Sequence, residues 1–276
     1  MLPKPSLEEA ERQAFAKSLK SNIQKRILPG LEPVYSNRAA QRFERENGRK
    51  PKDRHDIRRA MVKEPYFQAY AALTRISQEL LWSSVIDSIE CRYDDLMETA
   101  KTLCSGPGKC SINRGFVPPA YVTALDIHCM PGGYGFSSGD EIDFAAGALY
   151  DRGVYLYSMG YGGPYNDDKG RSVARYIKKN MPDFSPRRIL DMGCTVGHST
   201  LPYKECFPEA ELIGIDVTAP IVTYAHLRTA GLGADITYEQ MNAERTDYED
   251  SMSAIFCCTK RQRKRCRRSL ESVIVS

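Results

Sequence analysis

Arg187-Arg-Ile-Leu-Asp-Met-Gly-Cys-Thr-Val-Gly-His-Ser-Thr200 decides how this chain is read. Ile189 and Leu190 are apolar and precede an acid, Asp191, as a buried parallel strand does when its carboxylate ends at the crevice above a sheet. Gly193 and Gly197 bracket the turn that follows, where positive φ and a close backbone approach to a ligand are needed. Ser199 and Thr200 stand where they can cap a helix whose free N–H groups suit a carboxylate or a phosphate.

Two further segments fall into step. Glu211-Leu-Ile-Gly-Ile-Asp216 is a second apolar strand ending in an acid, 25 residues beyond Asp191, and a carboxylate there can accept both hydroxyls of a ribose. A helix is expected near Pro220 to Leu232, then a third strand over Asp235 to Met241, closing in Asn242-Ala243-Glu244, against which an adenine edge would lie.

The segment resembles the first half of a class I S-adenosylmethionine-dependent methyltransferase, of the broad group that includes the ubiquinone-biosynthesis methyltransferases. Asp191-x-Gly193-Cys194-x-x-Gly197 matches the first motif, Asp216 the ribose acid and Asn242-Ala243-Glu244 the adenine turn. The resemblance implies S-adenosyl-L-methionine as cofactor, with Asp191 on its ammonium, directly or through water, and the backbone of Gly193 and Gly197 making room for the methionine portion. It also implies Asp216 on the ribose, and Asn242 with the Ala243 backbone on the adenine. The family often has a third glycine where this chain has Thr195, and an Asp where it has Asn242; Asn still accepts a hydrogen bond. A nicotinamide dinucleotide competes poorly, because its fingerprint has no acid at the strand end, where Asp191 would face a pyrophosphate. The bland alternative is an α/β domain whose strand, glycine and helix carry no ligand.

The fold class expected is α/β: a Rossmann-like class I methyltransferase sheet, incomplete, preceded by a mainly helical N-terminal region. The division expected is 1–164, mainly helical with a loop-rich linker, and 165–276, a partial cofactor-binding domain. Within the first part, helices are expected over Ser6 to Ile27, stopped by Pro29-Gly30, over Arg38 to Glu46 with a break at Asn47-Gly48, and as a pair within Tyr66 to Thr102. Cys104 to Gly163 reads as loop-rich, with a strand at Tyr121 to His128 and a short helix at Asp143 to Tyr150; a helix over Asp167 to Lys179 then leads to the first strand. Tyr155, Tyr157, Tyr161 and Tyr165 precede that helix, either lining a substrate cavity or packing at the seam between helices and sheet.

Composition limits the rest. With 276 residues and 42% apolar content the chain can bury an ordinary core. No run resembles a signal peptide or a membrane span, so the cytoplasm is the default. Nine cysteines lack paired zinc spacing; Asp126-Ile-His128-Cys129 has no second ligand pair, so no metal is expected. His198 and His226 receive no catalytic role, because methyl transfer needs alignment more than a base. Lys260 to Arg268 holds seven basic residues, leaving 32 basic against 35 acidic elsewhere, so nucleic-acid binding would rest on that run alone. A small-molecule acceptor is expected.

From Asp191 only 86 residues remain, room for three strand–helix units and a fourth strand at Ala254 to Cys258, whereas the family sheet has seven. The basic run reads as a tail, a solvated helix or, preferred here, the product of a reading-frame shift, since one frame over its codons can spell a helix-like sequence. A sheet cut short in this way exposes an edge and predicts low stability. The alternative function is a non-catalytic cofactor-binding or regulatory fragment whose basic tail contacts an acidic partner.

Overall fold

A computed structural model describes residues 1–124, 127–246, 248, 253–256 and 273–275. The chain forms two compact units, one of Leu7–Ser84 and one of Met1–Ser6 with Val85–Ser276.

The smaller unit is helical. Helix α1 (Leu7–Asn22) runs through a π turn (Ile23–Ile27) and a 3-10 turn (Leu28–Gly30) into α2 (Leu31–Val34). Pro29-Gly30, expected to stop the helix, only changes its pitch, because proline in the first turn of the 3-10 segment lacks an N–H that needs no partner there. A second π turn leads to α3 (Ala40–Asn47), which ends as expected on Gly48 at φ 67°, its N–H donating to the Glu44 carbonyl (2.8 Å). Asp53 caps α4 (Arg54–Met61) by accepting from the His55 and Asp56 N–H groups. Ala39, Phe43, Ala60 and Met61 form the apolar centre, with Phe67 against it. Helix α5 (Pro65–Glu90) starts here and α6 (Tyr93–Leu103) follows it, so Tyr66 to Thr102 does form two helices, separated at Cys91-Arg92.

The larger unit is built on β1 (Lys109–Ser111), α7 (Ala120–Thr123), α8 (Ala145–Tyr157), α9 (Asp168–Asn180), β2 (Arg188–Met192), α10 (Thr200–Cys206), β3 (Glu211–Asp216), α11 (Ala219–Ala230), β4 (Thr237–Gln240), β5 (Ser253–Phe256) and β6 (Val273–Val275). The strands form one parallel sheet in the order β1-β4-β3-β2-β5-β6. Central β2 and β3 are apolar runs buried on both faces, as parallel strands between helical layers must be. Ile189, Leu212, Val222, Ala225 and Tyr238 pack in one core, Leu190, Met192, Ile213 and Ile215 in another. The expected α/β Rossmann-like sheet behind a helical region is therefore present.

The structure differs from the expectations in four places. The described residues of Tyr121 to His128 are not a strand: Tyr121–Thr123 lie in α7, for which Pro119 presets an extended N-cap, and Ile127–Cys129 form a 3-10 turn. The short helix at Asp143 to Tyr150 is the longer α8. The sheet does not end at its fourth strand, because β6 lies beside β5 and the upstream β1 beside β4. The loop-rich stretch and α8, expected on the N-terminal side of a division at 164/165, share a unit with the sheet. Cys257, Cys258, the basic run Lys260 to Arg268 and the frame-shift reading lie outside the described residues.

Candidate cofactor-binding site

The C-terminal ends of β2, β3 and β4 bring the expected residues to one rim. Asp191 pairs in register with Gly214, Asp216 with Gln240, and Asn242-Ala243 follow β4 after Met241. Between β2 and α10 the chain turns on Gly193 (φ 79°) and Gly197 (φ 77°), a left-handed geometry in which a side chain would be strained. The N–H groups of Gly193 and Cys194 both donate to the Ile215 carbonyl (2.9 and 3.1 Å), and Gly197 N–H to the Cys194 carbonyl (3.0 Å). A Cβ on Gly197 would collide with the Tyr238 hydroxyl. Thr195, where a third glycine was noted as frequent, also lies at positive φ (48°).

Electrostatics single out the two acids. Asp191 is 1% exposed; the Thr200 hydroxyl donates to its Oδ2 (2.6 Å), while its buried Oδ1 has no hydrogen-bond partner among the described residues. Burial pushes its carboxyl up to about 6, against the Thr200 hydrogen bond and with help from the nearby charge of Asp216. Asp216 is likewise raised by burial, partly offset by backbone N–H groups, and it accepts from Thr195 N–H (3.1 Å) and Val217 N–H (2.7 Å). Two neighbouring carboxylates poorly served by solvent favour a cation or hydroxyl donors between them. Asn242 Oδ1 accepts from Glu244 N–H (2.8 Å), which fixes the turn and leaves its amide N–H groups, while Ala243 packs on the Leu190–Ile215 core.

Thr200 does not act as a cap, since its hydroxyl is spent on Asp191, and Ser199 makes no side-chain capping bond. Of the four tyrosines singled out, Tyr161 is 86% exposed, the Tyr155 ring lies under the Arg152 guanidinium (4.7 Å), Tyr157 approaches the His128 ring (6.0 Å) and Tyr165 offers its carbonyl to Arg228. Sequence reasoning missed two others. Tyr134 packs edge-on to Tyr150 (5.4 Å), and Tyr150 stacks on His198 (6.1 Å), beside Gly197. The Tyr134 hydroxyl is held well above the ordinary tyrosine range by burial, then by Tyr150 and Asp216, which places it near the second acid. The run Gly132-Gly133-Tyr134-Gly135 was the signal available: an aromatic amid glycines, without periodicity. His226 lines a cavity of about 290 Å³ with Cys104, Cys110, Glu141 and Thr223. Among the described residues no group of three or more His, Cys, Asp or Glu is arranged for a metal, and no helix is long and apolar enough to cross a membrane.

The family model described as Methyltransferase domain matches residues 189–273, the span that holds both acids, the glycine turn and Asn242. Over those residues the chain is similar to methyltransferase domains. Trans-aconitate 2-methyltransferase of Rhodopseudomonas palustris (strain BisB5) is 34% identical over 62 residues, covering 22% of this chain and 24% of that protein. The chain thus spans about a quarter of the curated relative it matches. Among solved structures, DesVI of Streptomyces venezuelae is 18% identical, with a TM-score of 0.33 over 44% of this chain and 54% of that one. The sugar N-methyltransferase KedS8 of Streptoalloteichus sp. ATCC 53650 is 15% identical, with a TM-score of 0.33 over 44% and 52%.

Proposed function

We propose that the methyltransferase domain binds S-adenosyl-L-methionine and that the chain transfers its methyl group to a small-molecule acceptor. The observation that carries this reading is the buried Asp191, with one oxygen unpartnered, next to Asp216 above the glycine turn. Such an arrangement fits a ligand that is cationic at one end and bears a diol. Asp191 would receive the ammonium, directly or through a water, and Gly193 and Gly197 would admit the methionine portion against bare backbone. Asp216, whose Oδ2 accepts from Thr195 N–H and whose Oδ1 accepts from Val217 N–H, would accept the ribose hydroxyls with its remaining lone pairs. Asn242 and the Ala243 backbone would meet the adenine edge.

When bound, the cofactor supplies an electrophilic methyl on sulfur, which leaves as a neutral thioether. The residues on this rim bind and align; none needs to form a covalent bond to the transferred group, so proximity and orientation carry the rate. The 165–276 segment is proposed as the part that contacts cofactor. The curated relative is named for trans-aconitate, a small carboxylic acid, which agrees with a small acceptor.

Calorimetric titration of the full chain with S-adenosylhomocysteine tests the reading. A saturable heat with one site per chain, and a thermal transition that rises with ligand concentration, is expected. No heat and no shift would remove it, and binding without turnover of any acceptor would leave the non-catalytic cofactor-binding alternative.

A further inference from the structure

The turn that would hold the cofactor is bonded to β3 at its start, through the Gly193 and Cys194 N–H groups on the Ile215 carbonyl and the Thr195 N–H on Asp216, and its far end runs into α10. Two of its residues are glycines, which lose the most freedom on ordering, Thr195 sits in an unfavourable backbone region, and Ser199 gives no side-chain cap. The side chain that leaves this turn for the helical layer is His198, and it meets a carboxylate from outside the matched span 189–273.

Asp151, on α8, is 5% exposed. Its Oδ1 lies 2.6 Å from His198 Nε2, and its Oδ2 accepts from the Tyr224 hydroxyl (2.8 Å) and from Arg228 Nε (3.1 Å), both on α11. Arg228 is buried and donates through Nη2 to the Tyr165 carbonyl (2.7 Å). Tyr150, one residue before Asp151, covers the face of the His198 ring. Burial alone would push the Asp151 carboxyl up; His198, Arg228 and Tyr224 outweigh it and hold the acid below the ordinary carboxylate range. One carboxylate therefore joins three elements: the glycine turn, the helix after β3 and the upstream helix α8.

We infer that Asp151 is a positioning residue for the cofactor turn, acting through His198. The inference rests on the reading of Gly193 to His198 as that turn. With the link intact, the far end of the turn is ordered before ligand arrives; without it, binding bears the cost of ordering Gly197 and His198. Because the link is a hydrogen bond to Nε2, an amide side chain that reaches Asp151 should replace the imidazole, whereas alanine should not.

The test uses S-adenosylhomocysteine as the calorimetric probe on the full chain, with a thermal midpoint recorded for every variant. His198→Ala leaves the Asp151–Arg228 pair in place and is expected to weaken binding about tenfold, and His198→Gln to restore it to within about threefold of the wild type. Asp151→Ala is expected to weaken binding as His198→Ala does, and the double variant to bind no more weakly than His198→Ala alone, since both changes cut one link. Asp151→Ala also strips a buried arginine of its counter-ion, so if that protein does not fold, the Ala and Gln pair at His198 decides. Wild-type affinity in His198→Ala, equal losses in the Ala and Gln variants, or losses that multiply in the double variant would overturn the inference. A wild-type protein that does not bind the probe would instead overturn the function proposed above, and this inference with it.

Discussion

Asp191 carries a cost in the ligand-free protein. Its carboxyl titrates near 6 when folded and near the ordinary carboxylate value, about 4, when unfolded, so the folded state binds the proton more tightly between those values. Stability from this group is therefore present below about pH 4 and lost as pH rises through 6. Asp191→Asn is expected to raise ligand-free stability by roughly 2 kcal/mol at pH 7. Urea melts should show that gain shrinking toward pH 4, and calorimetry should show S-adenosylhomocysteine binding abolished. Thr195→Gly, at φ 48°, should add up to about 1 kcal/mol in the same melts, because glycine removes the steric penalty of the left-handed region. At this scale the strand-end placement of Asp191 and Asp216 and the turn at Gly193 and Gly197 were legible from residue type and spacing. What could not be read was the protonation preference of Asp191 or the φ of Thr195, since both depend on the surrounding structure rather than on neighbours in sequence.

Among the elements, those that bury continuous apolar runs were readable: β3 occupies Glu211–Asp216 as expected, and β4 lies within the expected Asp235 to Met241. Strand β1 was not, because its three residues are all exposed and a single ladder to β4 defines them. The α7 segment misled through Tyr121 and Val122, which favour strands, while Pro119 set the backbone for a helical turn. The glycine turn and β4 are tied by shape at Gly197 and Tyr238. Gly197→Ala should cost about 3 kcal/mol or more in chemical denaturation, from strain at φ 77° and the clash with the Tyr238 hydroxyl. Adding Tyr238→Phe should return part of that loss, and no return at all would show that the backbone term acts alone.

Over the whole chain, the Leu7–Ser84 unit has its own polar centre. Glu64 is fully buried, paired with Arg42 and, at 3.4 Å, with Arg38. Glu64→Gln is expected to cost roughly 2 kcal/mol by leaving these guanidinium groups underpaired. Because every partner named lies in that unit, scanning calorimetry should register the loss while the S-adenosylhomocysteine affinity stays within about twofold. The sequence divided the chain at 164/165 because the motifs begin there, whereas the larger unit takes in Val85 onward. That difference matters to anyone trimming the gene. A cassette opening at residue 165 would strip β4 of its outer neighbour and leave Arg228 as a buried cation without Asp151, so it should emerge as insoluble product. The stretch recognisable as a methyltransferase is shorter than the compact unit that contains it.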